Sequence, residues 1–370
     1  MYAGRVRVLD GGYLLPAAAK LTSFACTYLS GFRRPLIPGL QRVNLTLHKE
    51  HDWTLLLLLC STDLKIVEVF NNEGGDEDGR MMATFLHSLR TYARSETHGL
   101  EKLHISIARH NHMDLITKFD MLQDVHLWFD TGTTGALLVE GFSKLSVLDH
   151  LSTLRLYGNV GEERYSLVSP LPPPHSVNFK SLHSIVIHAP SYIALLFVQC
   201  LRADTLKCIQ LNCVSSPLDQ PTTFRRIAEE CEFIAPSLKE VDLSFNGDQR
   251  IGPKTFDAIL NLTRCFHLRT LEFNWSRLEI NDAHINRACL SGSFTNLEIL
   301  RLALNQPVPH SSLTFQVLRS LAIHCPLLKD LTLPFTVKEQ HLPLLIEEME
   351  NELPLSHRCI GVSRLSFPLS

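Results

Sequence analysis

Leu238-Lys-Glu-Val-Asp-Leu-Ser-Phe-Asn246 is the stretch on which the reading of the chain turns. Its pattern is L-x-x-L-x-L-x-x-N, with Val241 in the second apolar slot. The pattern returns at Leu297-Glu-Ile-Leu-Arg-Leu-Ala-Leu-Asn305 and at Leu151-Ser-Thr-Leu-Arg-Leu-Tyr-Gly-Asn159. The middle residues predict a short strand. Alternation sends Val241 and Leu243 to one face, and Glu240, Asp242 and Ser244 to the other. One such strand cannot bury its apolar face alone, whereas stacked copies share a continuous core. The closing Asn is expected to bond backbone groups where the chain leaves the strand, because buried backbone polar groups must be paired.

Working outward, motif starts fall at Leu40, Leu64, Leu100, Leu122, Leu151, Leu182, Leu206, Leu238, Leu268, Leu297 and Leu328, spaced 22 to 36 residues apart. That spacing leaves room for a strand and a returning helix in each unit. Helices are expected over Ala17 to Leu29, Trp53 to Cys60, Met81 to Arg94, Met113 to Phe119 and Ala136 to His150. Further helices are expected over Tyr192 to Arg202, Phe224 to Ile234, Lys254 to Phe266, Asp282 to Leu290, Leu313 to Cys325 and Val337 to Asn351. Val6-Arg-Val-Leu9 reads as a strand already in progress, and Val362 to Phe367 as a final, atypical one. Residues 161–178 contain Pro170, Pro172, Pro173 and Pro174 and read as a loop inserted into one repeat, since the pattern resumes in phase at Leu182.

This signature resembles the leucine-rich repeat. Cys265-Phe-His-Leu268 and Cys325-Pro-Leu-Leu328 place Cys three residues before the motif's first Leu, and Ala235-Pro-Ser-Leu238 has the same form with Ala. Ile280-Asn-Asp282 is similar to the I-T-D helix start of the cysteine-containing repeat class, which would make Asp282 the cap of its helix. Such repeats are typical of F-box leucine-rich-repeat proteins, and the loose spacing resembles their divergent fungal relatives. The resemblance implies an α/β fold, one right-handed horseshoe solenoid over 1–370, with parallel strands on the concave face and helices on the convex face. It also implies buried, reduced Cys265 and Cys325. The F-box itself has no counterpart: Leu15-Pro16 leads into Ala-Ala-Ala-Lys and Leu21-Thr-Ser-Phe-Ala-Cys26 without a matching Trp. It is therefore expected upstream of this chain or lost from it.

Composition narrows the function classes. The chain has 370 residues, an apolar share of 45% and a formal net charge of −3, so no basic field argues for nucleic acid. Apolar runs such as Leu55 to Cys60 and Ile193 to Val198 are too short to span a bilayer. Lys20 interrupts the early apolar stretch, which does not read as a signal peptide. The ten cysteines show no C-x-x-C pair, which suits reduced thiols and a cytoplasmic or nuclear location.

No P-loop, Rossmann glycine pattern, G-x-S-x-G or H-E-x-x-H occurs, so no catalytic residue, metal ligand or cofactor is assigned. Arg109-His110-Asn111-His112 carries an H-x-H that lacks a third ligand at suitable spacing and reads as solvated loop histidines. Motif positions three, five and seven should face solvent on the concave side. In the earlier units these include Arg42, Asn44, Lys102, His104, Asp124, His126, Trp128, Arg155 and Tyr157, a mainly basic and aromatic set. In the later units they include Glu240, Asp242, Thr270, Glu272, Asn274 and Asp330, a mainly acidic one. Exposed large aromatics beside Arg and His are enriched at binding hot spots. The expected partner-binding patch is therefore Lys102, His104, His126, Trp128, Arg155 and Tyr157. The function this implies is a protein–protein interaction module, the substrate-recognition part of an F-box-like subunit of an SCF-type ubiquitin ligase. A regulatory solenoid of GTPase-activating or inhibitor type is the alternative. Neither an enzyme nor a membrane protein is expected.

Overall fold

The computed structural model describes residues 5–11, 37–47, 56–57, 59–71, 80–93, 99–107, 112–129, 135–158, 176–214, 222–234, 237–246, 262, 267–275, 280–292, 294–304, 313–314, 316–334 and 364–366. The chain divides into two compact units, Met1–Leu182 and His183–Ser370.

The first unit contains β1 (Val8–Gly11), β2 (Arg42–Leu47), β3 (Ile66–Asn71), α1 (Arg80–Ala93), β4 (Lys102–Ile107), α2 (Met113–Ile116), β5 (Asp124–Phe129), α3 (Gly135–Leu145), β6 (Thr153–Gly158) and the two-residue β7 (Val177–Asn178). Strands β1 to β6 form a parallel sheet in chain order, each paired with the next without a slip in register. In-register stacking turns motif positions into rows across the sheet. One apolar row is Val43, Val67, Leu103, Val125 and Leu154, every member fully buried. Another is Leu45, Val69, Ile105, Leu127 and Leu156, none more than 2% exposed. The intervening positions form polar rows on the opposite face, as strand alternation requires.

Backbone hydrogen bonds set that register at the starts of β3 to β6. The carbonyl of the residue after the motif's first Leu accepts from two consecutive amides of the next unit. Gln41 O takes Lys65 N and Ile66 N, Lys65 O takes Glu101 N and Lys102 N, and Glu101 O takes Gln123 N and Asp124 N. Gln123 O does the same for Ser152 N and Thr153 N. At the corner before β5, a side chain at Gly99 would run into the Cβ and Cγ of Met121, so the bare glycine lets adjacent corners close up. Helices α2 and α3 meet in the same way: a Cβ at Gly141 would lie 3.0 Å from Met113 Cγ.

The second unit contains β8 (Ser184–Pro190), α4 (Ser191–Cys200), the two-residue β9 (Leu201–Arg202), β10 (Cys208–Val214), α5 (Thr223–Ile234), β11 (Glu240–Asn246), β12 (Thr270–Trp275), α6 (Asp282–Leu290), β13 (Ile299–Leu304), α7 (Gln316–His324), β14 (Asp330–Thr332) and β15 (Arg364–Ser366). Strands β8, β10, β11, β12, β13, β14 and β15 form its parallel sheet, again in register. The forked hydrogen bonds recur at His183, Lys207, Lys239, Arg269 and Glu298, with N···O distances of 2.7 to 3.2 Å. Phe224 of α5 lies edge-on to Phe245 and Trp275, with ring centroids 4.6 and 4.7 Å away, which puts that helix against the apolar side of β11 and β12.

All eleven motif-opening leucines are buried, at most 4% exposed. This burial, the α/β class and the parallel sheets bear out the coarse sequence reading. Cys325 is buried and free of any disulfide, while Cys265 lies outside the described residues. So do Asn159, Asn305, the helices expected at Ala17 and Val337, and, apart from the buried Leu262, the one expected at Lys254. The proline-rich stretch is outside them up to residue 175, and Val177–Asn178 at its end is strand rather than loop.

Two local expectations need correction. His112 is fully buried at the start of α2, next to the buried Met113, rather than solvated. Asp282 does not cap α6. The cap is Asn281, whose side chain accepts from His284 N at 3.3 Å while its own backbone amide donates to His284 Nδ1 at 3.3 Å. Asp282, one residue on, reaches the next repeat instead. It accepts from Thr314 N at 2.7 Å and from the Thr314 hydroxyl. Thr314 Oγ1 in turn accepts from Gln316 N, at the start of α7, at 3.3 Å.

Candidate functional site

The site is built on β4, β5 and β6 of the first unit, on the polar face of its sheet. Register places His104 opposite His126 and His126 opposite Arg155, so the middle polar row runs Asn44, Glu68, His104, His126, Arg155. Lys102 lies opposite Asp124, and Trp128 opposite Tyr157. All six residues singled out from the sequence are therefore brought together. Their environments divide them into two groups.

The first group is an ion network. Glu68 is 8% exposed, and its carboxylate lies 2.9 Å from Arg42 and 3.5 Å from both Lys102 Nζ and His104 Nδ1. Asp124 approaches Lys102 Nζ at 3.2 Å and His104 Nε2 at 3.5 Å. Burial alone would raise the Asp124 carboxyl; His104 and Lys102 beside it outweigh that and hold it below its ordinary range. Lys102 is thus a bridge between two carboxylates rather than a free cation. The expectation of a mainly basic face fails here, because Arg42 and Lys102 are matched by Glu68 and Asp124. Glu68 was absent from the sequence-derived set. It occupies position five of the Leu64 motif, the same slot as His104, and the position rule alone finds it.

The second group is aromatic. Trp128 and Tyr157 stack with centroids 4.5 Å apart and planes 7° from parallel. Trp128 is 45% exposed, and Tyr157 is half-buried. The ring of His126 lies 4.7 Å from that of Tyr157 and 4.5 Å, edge-on, from that of His104. His126 is 9% exposed, and neither of its ring nitrogens has a hydrogen-bond partner among the described residues. Its pKa is pushed down to about 4, first by burial, then by the charges of His104, Arg155 and Lys102, against an opposing pull from Asp124. It is a neutral ring beside the platform. Neither His104 nor His126 has the solvent exposure expected of concave-face residues, because same-position rings from neighbouring strands cover one another.

Arg155 stands apart from both groups. It is exposed and has no carboxylate partner among the described residues. On the second unit's polar face the acidic reading also needs amendment. Arg301 binds Glu272 at 2.8 Å and Asp330 at 2.6 Å, so two of the expected acidic residues share one guanidinium there. Asp242, opposite Glu272 in register, has its carboxyl pushed up by burial and then by the Glu272 charge.

Among the described residues, no group of three His, Cys, Asp or Glu side chains is placed to hold a metal ion, and no helix is long and apolar enough to cross a membrane. No family model and no curated protein matches the chain. Among solved structures, a Bacteroides fragilis protein is similar at 12% sequence identity and a TM-score of 0.38, over 85% of this chain and 71% of that one.

Proposed function

We propose that the chain is a leucine-rich-repeat solenoid whose polar strand face, concave in that fold, binds another protein. The observation that carries this reading is the Trp128 indole, stacked on Tyr157 yet 45% exposed, on a face whose nearby ion pairs are already satisfied internally. Exposing a large aromatic platform forgoes the stabilisation of burying it, and such platforms are favoured where a partner supplies the missing cover. The repeat reading is supported by the buried motif-opening leucines and the forked hydrogen bonds that recur at the strand starts. The right hand of its crossovers follows from the rule for parallel strand–helix–strand units. The narrower assignment is the substrate-recognition part of an F-box-like subunit of an SCF-type ubiquitin ligase. It rests on the cysteine-containing form of the repeats.

The test is affinity capture with the full chain and with the Trp128→Ala, Tyr157→Ala double variant, read by mass spectrometry. Proteins held by the parent and lost from the variant support the binding face. Identical captured sets would remove it. Cullin-type ligase components co-purifying with the longer reading frame support the ligase assignment, and their absence removes that assignment alone.

A further inference from the structure

We infer that the ligand of the β4–β6 face is an acidic peptide segment of the partner. One of its carboxylates sits on Arg155, and the apolar side chain next to that carboxylate covers the Trp128–Tyr157 stack. The inference rests on the protein-binding reading and specifies the chemistry of the bound segment.

Charge complementarity argues for it. Around the platform, Arg42 and Lys102 are engaged by Glu68 and Asp124, with His104 between the two carboxylates. His126, whose pKa is depressed by its buried position, adds no charge near neutral pH. That leaves the Arg155 guanidinium as the uncompensated charge among the described residues of β4, β5 and β6. It sits in the row beside His126, one alternate position along β6 from Tyr157, so cation and platform adjoin. A guanidinium presents a planar fork of donors that matches a carboxylate in bidentate fashion. The stacked rings offer a flat apolar surface that suits a Pro, Leu or aromatic side chain. A ligand bearing one anion beside one apolar group therefore satisfies both features. A basic ligand would leave Arg155 facing like charge.

Stacked aromatics beside an arginine also suit a nucleic-acid base and its phosphate. The observations favour the peptide. Single-strand binders track the backbone along a positively charged groove, whereas the other cations here are spent on internal carboxylates.

The experiment is selection of a displayed random 12-residue peptide library on the full chain, in parallel with Arg155→Glu and Trp128→Ala. Arg155 is exposed, and circular dichroism confirms that each variant is folded before selection. The parent is expected to enrich Asp or Glu beside an apolar or aromatic position. Arg155→Glu is expected to weaken the best parent peptide by about tenfold or more and to shift its own selection towards Lys and Arg. Trp128→Ala is expected to lose the apolar preference while keeping the acidic one. No enrichment on the parent, or the same charge preference from parent and Arg155→Glu, overturns the inference. Binding of a labelled twelve-nucleotide oligothymidine that is lost in Arg155→Glu also overturns it, in favour of nucleic acid. Peptides that are non-acidic yet lost on Trp128→Ala overturn the charge argument and leave the protein-binding face standing.

Discussion

The Trp128 indole and the Tyr157 phenol lie face to face across β5 and β6, 4.5 Å apart and 7° from parallel, and the indole is 45% exposed. Register alone produces this contact, because both residues occupy motif position seven of consecutive units. Each ring covers one face of the other and leaves the remaining indole surface to solvent.

Truncation should therefore separate binding from folding. Trp128→Ala is expected to cost about 2 kcal/mol of partner binding and only about 0.5–1 kcal/mol of stability, the worth of one aromatic pair on a half-exposed face. Chemical denaturation beside a binding titration checks both. A stability loss larger than the binding loss would make the stack structural.

Lys102 and Arg155 look interchangeable in the sequence, and the structure separates them. Lys102→Glu would set a third carboxylate between Glu68 and Asp124 and is expected to destabilise the fold by about 2 kcal/mol. Arg155→Glu is expected to stay within about 0.5 kcal/mol of the parent. Urea midpoints for the two variants decide this, and equal midpoints would contradict the ion network.

His126 should make the fold acid-sensitive. Its folded-state pKa of about 4 lies below the ordinary histidine value of 6.5, so the unfolded chain takes up a proton first as pH falls. Stability from this group is then complete above the unfolded value and is lost as pH drops from about 6.5 towards about 4, by about 3 kcal/mol. The Asp124 carboxyl, held low, adds a loss of the same sign at still lower pH. His126→Phe keeps a ring between His104 and Tyr157 and removes the titration. Its melting temperature should vary less than the parent's across that window, and parallel curves would show that another group carries the dependence.

The helix caps of the second unit offer a further test. Asn281→Ala removes the reciprocal cap of α6 and is expected to cost about 1 kcal/mol. Asp282→Ala leaves that cap intact and breaks the link to Thr314, so it should lower protection from hydrogen exchange at the start of α7 more than within α6. Equal loss of protection in both helices would argue that Asp282 acts as a cap after all.

The parallel sheets were legible because motif leucines and period-two alternation report burial directly: Leu103, Ile105, Val125 and Leu127 could face only one way. The membership of the candidate patch was legible for the same reason, since position numbers translate into rows once the strands stack in register. The state of each member was not. Parallel strands bring like positions within about 4.8 Å, so the environment of His104 is written mostly in Glu68, Asp124 and His126, residues of the two neighbouring units. Lys102 reads as a solvated cation until Glu68 is placed beside it, and the acidic row reads as unpaired until Arg301 is placed between Glu272 and Asp330. At α6, Asn281 and Asp282 are equally good capping residues by type, and only backbone geometry decides between them.

The forked hydrogen bonds at the strand starts carry an implication for how such a chain can change. Each unit joined in this way takes its alignment from a single carbonyl of its predecessor, two atoms that know nothing of the length of the path between them. Segments as different as those joining Leu64 to Leu100 and Leu100 to Leu122 deliver the chain to the same docking point. Insertions and deletions in the return paths are thereby uncoupled from the order of side chains on the strand face. A lineage can remodel the return paths freely while the polar rows on the strands keep their arrangement.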